Sequence, residues 1–216
     1  MEMKEMTGTE MTFSAILKEY EGTDKLLEFC VGNTDRFLVG RVVRVYDAYY
    51  EPEDFDADAE CGVEGSEIWD EEIEYKGSSV IVSIINPDGN DGGLAWFDCC
   101  DLVKIAVGTK NLKAKKLALK EEKELAIILP DAEGLDALLE LSRNEQKMVA
   151  FESEDGASIV SYAIVEEFGE DLIRLHEYTD WGEDDGIVFL NRHEIRICYY
   201  DGFDERCANK LRLQAE

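Results

Sequence analysis

The stretch Asp54-Phe-Asp56-Ala-Asp58-Ala-Glu60-Cys-Gly62-Val-Glu64 sets carboxylates at alternate positions. Calcium is ligated by carboxylates at such spacing, in a loop that also needs glycine at its sixth position and glutamate at its twelfth. Counted from Asp54, those positions hold Ala59 and Gly65, so the calcium loop is incomplete. Asp54, Asp56, Asp58, Glu60 and Glu64 are therefore read as an acidic binding surface and not as a metal cage. A second cluster, Asp180-Trp181-Gly-Glu-Asp184-Asp185, places four carboxylates around a tryptophan. Turn chemistry accounts for the Asp and Gly, which hydrogen-bond their own backbone and tolerate positive φ. It does not account for the tryptophan, which at a loop tip is a common anchor for a protein partner. Trp181, Asp184 and Asp185 complete the candidate binding residues.

The remaining chemistry-bearing residues form no pattern. Six cysteines (Cys30, Cys61, Cys99, Cys100, Cys198, Cys207) include no Cys-x-x-Cys pair. Zinc sites usually present paired ligands two to four residues apart, and His176, His193, Cys198 and Cys207 do not. The sequence has two histidines and lacks Gly-x-Ser-x-Gly, the phosphate-binding Gly-x-x-x-x-Gly-Lys-Ser/Thr motif and Gly-x-Gly-x-x-Gly. No catalytic residue, metal or cofactor is expected, and the reading is a non-enzymatic one.

Charge says more. Against 22 Lys and Arg stand 50 Asp and Glu, a formal net charge of −28. A field of that sign repels nucleic-acid backbones and anionic membranes and attracts basic partners. The expected partner is a basic protein, as for immunity or inhibitor proteins that dock on a cationic active site. Lys110, Lys113, Lys115, Lys116, Lys120 and Lys123 form the one basic concentration, the alternative contact surface for a nucleic acid. No run approaches the ~20 apolar residues of a membrane span. The first residues, Met1-Glu-Met-Lys-Glu-Met-Thr-Gly, show no secretory leader, so the expected location is cytoplasmic.

The elements that must carry these residues occur twice. Phe13–Ala48 slides onto Leu135–Glu170 without a gap, matching Ala15 to Ala137, Leu17 to Leu139, Phe29 to Phe151, Val43 to Val165 and Tyr46 to Phe168. The match resumes as Gly93-Leu-Ala-Trp-Phe-Asp on Gly186-Ile-Val-Phe-Leu-Asn, and as Val103-Lys-Ile on Ile195-Arg-Ile. Within each copy, helical spacing of apolar residues gives way to alternation of period two, so one helix precedes five short strands. The copies differ by an insert: from Asp47 to Glu74 there are 13 acidic residues and no Lys or Arg.

Gly40-Arg-Val-Val-Arg-Val-Tyr-Asp47-Ala-Tyr, followed by a Gly/Asp turn and Trp96-Phe-Asp-Cys-Cys-Asp-Leu-Val-Lys-Ile105, resembles the Sm-like barrels of the RNA-associated Sm and Hfq proteins. The resemblance implies a barrel, and an SH3-like barrel fits the same pattern. The family's arginine-glycine or lysine-histidine signature is absent, with Gly93-Leu-Ala-Trp and Gly186-Ile-Val-Phe in its place, so RNA binding is not implied. The expectation is a mainly β (α+β) chain of two tandem small five-stranded barrels, each preceded by a short helix and joined by a helical linker. Residues 1–108 form the first barrel with its acidic insert at 49–78, 109–129 the linker, and 130–216 the second barrel. Barrel edges left unpaired invite self-association, which makes a structural scaffold the third reading.

Overall fold

The computed structural model describes residues 12–32, 37–47, 77–119, 127–153 and 156–215. Asp54, Asp56, Asp58, Glu60 and Glu64 lie outside them, as does nearly all of the insert. The first unit runs α1 (Phe13–Lys18), β1 (Leu27–Val31), β2 (Phe37–Tyr46), β3 (Ser79–Ile85), β4 (Asp91–Asp98) and β5 (Leu102–Val107), then α2 (Lys110–Ala118). The second runs α3 (Leu135–Glu145), β6 (Val149–Glu152), β7 (Ser158–Phe168), β8 (Leu172–Tyr178), β9 (Asp184–Asn191), β10 (Ile197–Tyr200) and α4 (Phe203–Ala215). A one-turn 3-10 helix precedes the fifth strand in each, Cys99–Asp101 and Arg192–Glu194. Among the described residues, no helix is long and apolar enough to cross a membrane.

Two separate barrels do not form. All ten strands lie in one open antiparallel sheet of order β5-β1-β2-β3-β4-β10-β6-β7-β8-β9. Each unit has the order fifth-first-second-third-fourth strand, but β4 does not return to close on β5. It pairs with β10, the fifth strand of the second unit, at Phe97↔Ile197, Trp96↔Cys198, Ala95↔Tyr199 and Leu94↔Tyr200. The edge hydrogen bonds of β4 are satisfied by the neighbouring unit, which removes the reason to curl shut.

The units match down to their turns. Thr179 N–H donates to Glu183 O and Asn86 N–H to Asn90 O, both at 2.9 Å; Gly182 N–H donates to Thr179 O and Gly89 N–H to Asn86 O, again at 2.9 Å. The fifth strands match one residue away from the pairing that the sequence suggests. Phe29 faces Ile105 and its counterpart Phe151 faces Cys198, so Leu102 corresponds to Ile195, and Val107 to Tyr200. The Ile-Arg-Ile likeness of residues 195–197 misleads because the 3-10 turn, and not the side-chain pattern, sets the strand start.

The core follows from the patterning. α3 buries Leu135, Leu138, Leu139 and Leu141 on one stripe and stops at Gln146, whose left-handed conformation ends the helix. Buried Ser142 fastens it: its Oγ donates to Lys147 O at 2.7 Å and accepts Val165 N–H at 3.1 Å. One apolar cluster runs across the junction, joining Ile81, Leu94 and Trp96 of the first unit to α3, Phe151 and Leu175 of the second. A second packs Leu17, Phe29, Val42, Val80 and Phe97, with Phe29 and Phe97 edge-to-face at 5.8 Å. Burial of this kind contributes about 25 cal/mol per Å² of apolar surface. Because the larger cluster straddles both units, the β4–β10 junction is part of the core.

Candidate functional site

The turn before β9 is built by its own polar side chains. Thr179 Oγ1 accepts the amides of Trp181 and Glu183 at 3.3 Å, and Asp184 Oδ1 accepts Gly186 N–H at 2.8 Å. The matching turn of the first unit uses Asp91 Oδ1 on Gly93 N–H at 2.9 Å. Asp184 is thus occupied in holding the turn, and its other contact is His176 Nε2 at 3.0 Å. His176 and the Gly186 amide hold the Asp184 carboxyl below its ordinary range. Tyr178 stacks on His176 at 4.8 Å, Glu166 lies 3.5 Å from its Nδ1, and the Arg212 guanidinium sits 5.5 Å over the Tyr178 ring. Glu166, His176 and Tyr178, with Arg143 and Gln146, line an open polar groove of about 320 Å³.

The other predicted residues of this turn point outward. Trp181 is 74% exposed. Among the described residues no cation pairs with Asp180, Glu183 or Asp185. Their carboxylates crowd their neighbours: Glu177 is raised by burial and then by Asp185, and Tyr162 by burial and then by Asp180, Asp204 and Glu205. Asp180, Glu183 and Asp185 therefore form a negative patch around the tryptophan, while Gly182 packs against Ala208 and Arg212 of α4. Of the eight predicted binding residues, Trp181 and Asp185 lie on this patch with no cation paired to Asp185 among the described residues, and Asp184, itself exposed, braces the turn.

The thiols are placed differently. Burial pushes Cys99 up to about 11 and raises Cys198 as well, so neither offers a thiolate near neutral pH. Asp98, Cys100 and Asp101 bring ligand atoms within 4.8 Å of one another, but Arg196 lies 3.2 Å from Asp101 and already supplies a cation there. His193 contacts Asp171 at 3.3 Å.

Sequence reasoning missed which apolar residues would stay uncovered. β5 and β9 end the sheet with no further strand beside them among the described residues. Phe189 is 68% exposed, and Ile187, Val103 and Val107 are exposed too. No sequence signal marked them: Phe189 aligns with Trp96, which is buried in the first unit.

Compared with protein-family models, curated proteins and solved structures, the chain matches none.

Proposed function

We propose that this chain is a non-enzymatic acidic binding protein of the cytoplasm, of the immunity or inhibitor type, that docks a basic protein partner. The observation that supports it most is the negative patch of Asp180, Glu183 and Asp185 around the exposed Trp181. Unpaired carboxylates steer a cationic partner into fast encounter, while a solvated tryptophan supplies apolar area to bury on contact. The net charge of −28 extends the same field over the rest of the molecule.

The test is affinity capture with the full chain as bait, followed by titration of the captured partner. A basic partner is expected, whose binding weakens steeply toward 1 M salt, where the screening length is about 3 Å. Trp181→Ala should weaken it by roughly 30-fold, an anchor loss of about 2 kcal/mol. Binding that ignores salt, Trp181→Ala, Asp180→Lys with Asp185→Lys, and removal of residues 49–78 would refute the proposal.

A further inference from the structure

The molecule contains one complete junction between units and the two separated halves of a second. The complete one is β4 against β10. Its repeat would be the second unit's fourth strand, β9, against the first unit's fifth strand, β5, and these are the two free edges of the sheet among the described residues. No single chain bent through one open sheet brings them together here, but two chains can. We propose that a second copy of this chain adds its β5 to the free edge of β9, in the register that β4 and β10 use. That register places Ile187 opposite Val107, Val188 opposite Ala106, Phe189 opposite Ile105 and Leu190 opposite Lys104 of the next copy. The inference goes beyond the basic-partner reading and stands without it.

Four differences between matching positions support it. Trp96 is 7% exposed beneath α3, whereas its counterpart Phe189 is 68% exposed; Leu94 at 5% contrasts with Ile187 at 42%. On the helix that covers the junction, Leu135 and Leu138 are buried against the neighbouring unit, while their counterparts Phe13 and Ile16 on α1 are only half-buried. Gly93 and Gly186 both have positive φ, +81° and +99°. A Cβ on Gly93 would meet Tyr200 O of the adjoining strand at 2.4 Å, but one on Gly186 would meet nothing within 4 Å. Gly186 faces the space that a fifth strand fills in the first unit.

The fourth difference concerns charge. Arg206 of α4 clasps the junction by donating to Asp91 O at 2.8 Å. Counting from the matched turns, its counterpart on α2 is Lys113, and the counterpart of Asp91 is Asp184. In the proposed contact, the lysines of one copy's α2 approach the carboxylates before the next copy's β9, giving opposite charges across the seam. Trp181 remains open, because its counterpart Asp88 is exposed beside the existing junction. Since each added copy presents a new free β9, the contact is head-to-tail and continues past two chains, to a ring if the rotation closes and a filament otherwise.

Sedimentation over a concentration series tests this, with the wild-type mass expected to rise above the 24.5 kDa of one chain. Phe189→Asp blocks the β9 edge and Val107→Asp the β5 edge; both positions are exposed, and far-UV circular dichroism reports whether each variant is folded. Each variant alone should stay monomeric, and their mixture should stop at a dimer, the intact β9 of one joined to the intact β5 of the other. Independently of those charges, Val107→Cys with Ile187→Cys should give disulfide-linked ladders above the wild-type background, and Ala106→Cys with Ile187→Cys should not. A wild-type chain that is monomeric throughout, a single variant that still self-associates, a mixture that stays monomeric, or equal cross-linking by the two cysteine pairs would each overturn the proposal.

Discussion

β4 and β9 are the same strand of two matching units, and they meet opposite surroundings. β4 is buried along nearly its whole length between β3 and β10, while β9, with one neighbour, β8, among the described residues, buries only Leu190. The backbone turns that start them are alike, and so are the apolar sequences Leu94-Ala-Trp-Phe and Ile187-Val-Phe-Leu. What separates them is position in the sheet. Burial at these sites is therefore a property of the neighbour and not of the strand, and apolar residues retained at a free edge are uncovered surface looking for one.

The contrast is broken most severely at its centre. Trp96→Ala should destabilise the fold by about 3–5 kcal/mol, because it empties a site that α3 and the junction enclose. Phe189→Ala, at concentrations where the chain is monomeric, should stay within about 0.5 kcal/mol. Urea unfolding of both variants measures the difference. Equal costs would mean that β9 is covered in solution by something within the chain, and the contrast would vanish.

Much of the unit was legible because its signals are local. One helix followed by five strands in each unit is what the structure shows, and the Gly- and Asp-rich turns lead into β4 and β9. The joining of units was not legible. A fourth strand offers the same amides and carbonyls to the fifth strand of its own unit as to that of the next, and side-chain pattern does not distinguish the two. Closure into separate barrels was the expectation; continuation through β10 is what the chain does. Trp181 could be recognised as exposed because a large aromatic in a run of Asp and Gly has no apolar neighbours in sequence to pack on. Asp184 was read as a binding residue for its charge, although its spacing to Gly186 repeats that of Asp91 to Gly93 and marks it as a turn residue. His176 went unassigned, since its partners Glu166 and Asp184 come from adjacent strands and depend on register.

A pH experiment sharpens the comparison at the ends of the same two strands. Asp98 ends β4 where Asn191 ends β9, and burial, then Asp101, pushes the Asp98 carboxyl up to about 6 from 3.8. Below the unfolded value both states carry the proton. As pH rises from about 4 to 6 the unfolded chain loses it first, so stability falls across that window and stays reduced above it. Asp98→Asn gives the first unit the second unit's residue. It should raise stability at pH 7 by on the order of 2 kcal/mol and flatten the fall between pH 4 and 6. Asn191 Oδ1 accepts His193 N–H at 3.0 Å, so an amide at the matched position has a backbone partner of the same kind available. Thermal melts of wild type and variant across the pH range settle it, and an unchanged slope would show that Arg196 already neutralises the site.

The smallest effect asks whether turn and junction are coupled. Asp91 and Asp184 each accept one glycine amide, so Asp91→Ala, and Asp184→Ala measured in a His176→Gln background that removes its second contact, should each cost about 1 kcal/mol, the net worth of one such hydrogen bond. The two sites differ in what lies behind them. The backbone carbonyl of Asp91 also holds Arg206 from α4, whereas among the described residues that of Asp184 holds no cation. Both substitutions leave the carbonyl in place. If the turn is rigid without its side-chain cap, the two costs agree in chemical denaturation to within about 0.5 kcal/mol. A clearly larger loss for Asp91→Ala would mean that the cap positions the carbonyl for Arg206, so that the turn is part of the clasp between units. The intact cap of Asp184 would then hold the matching carbonyl ready for Lys113 of another copy.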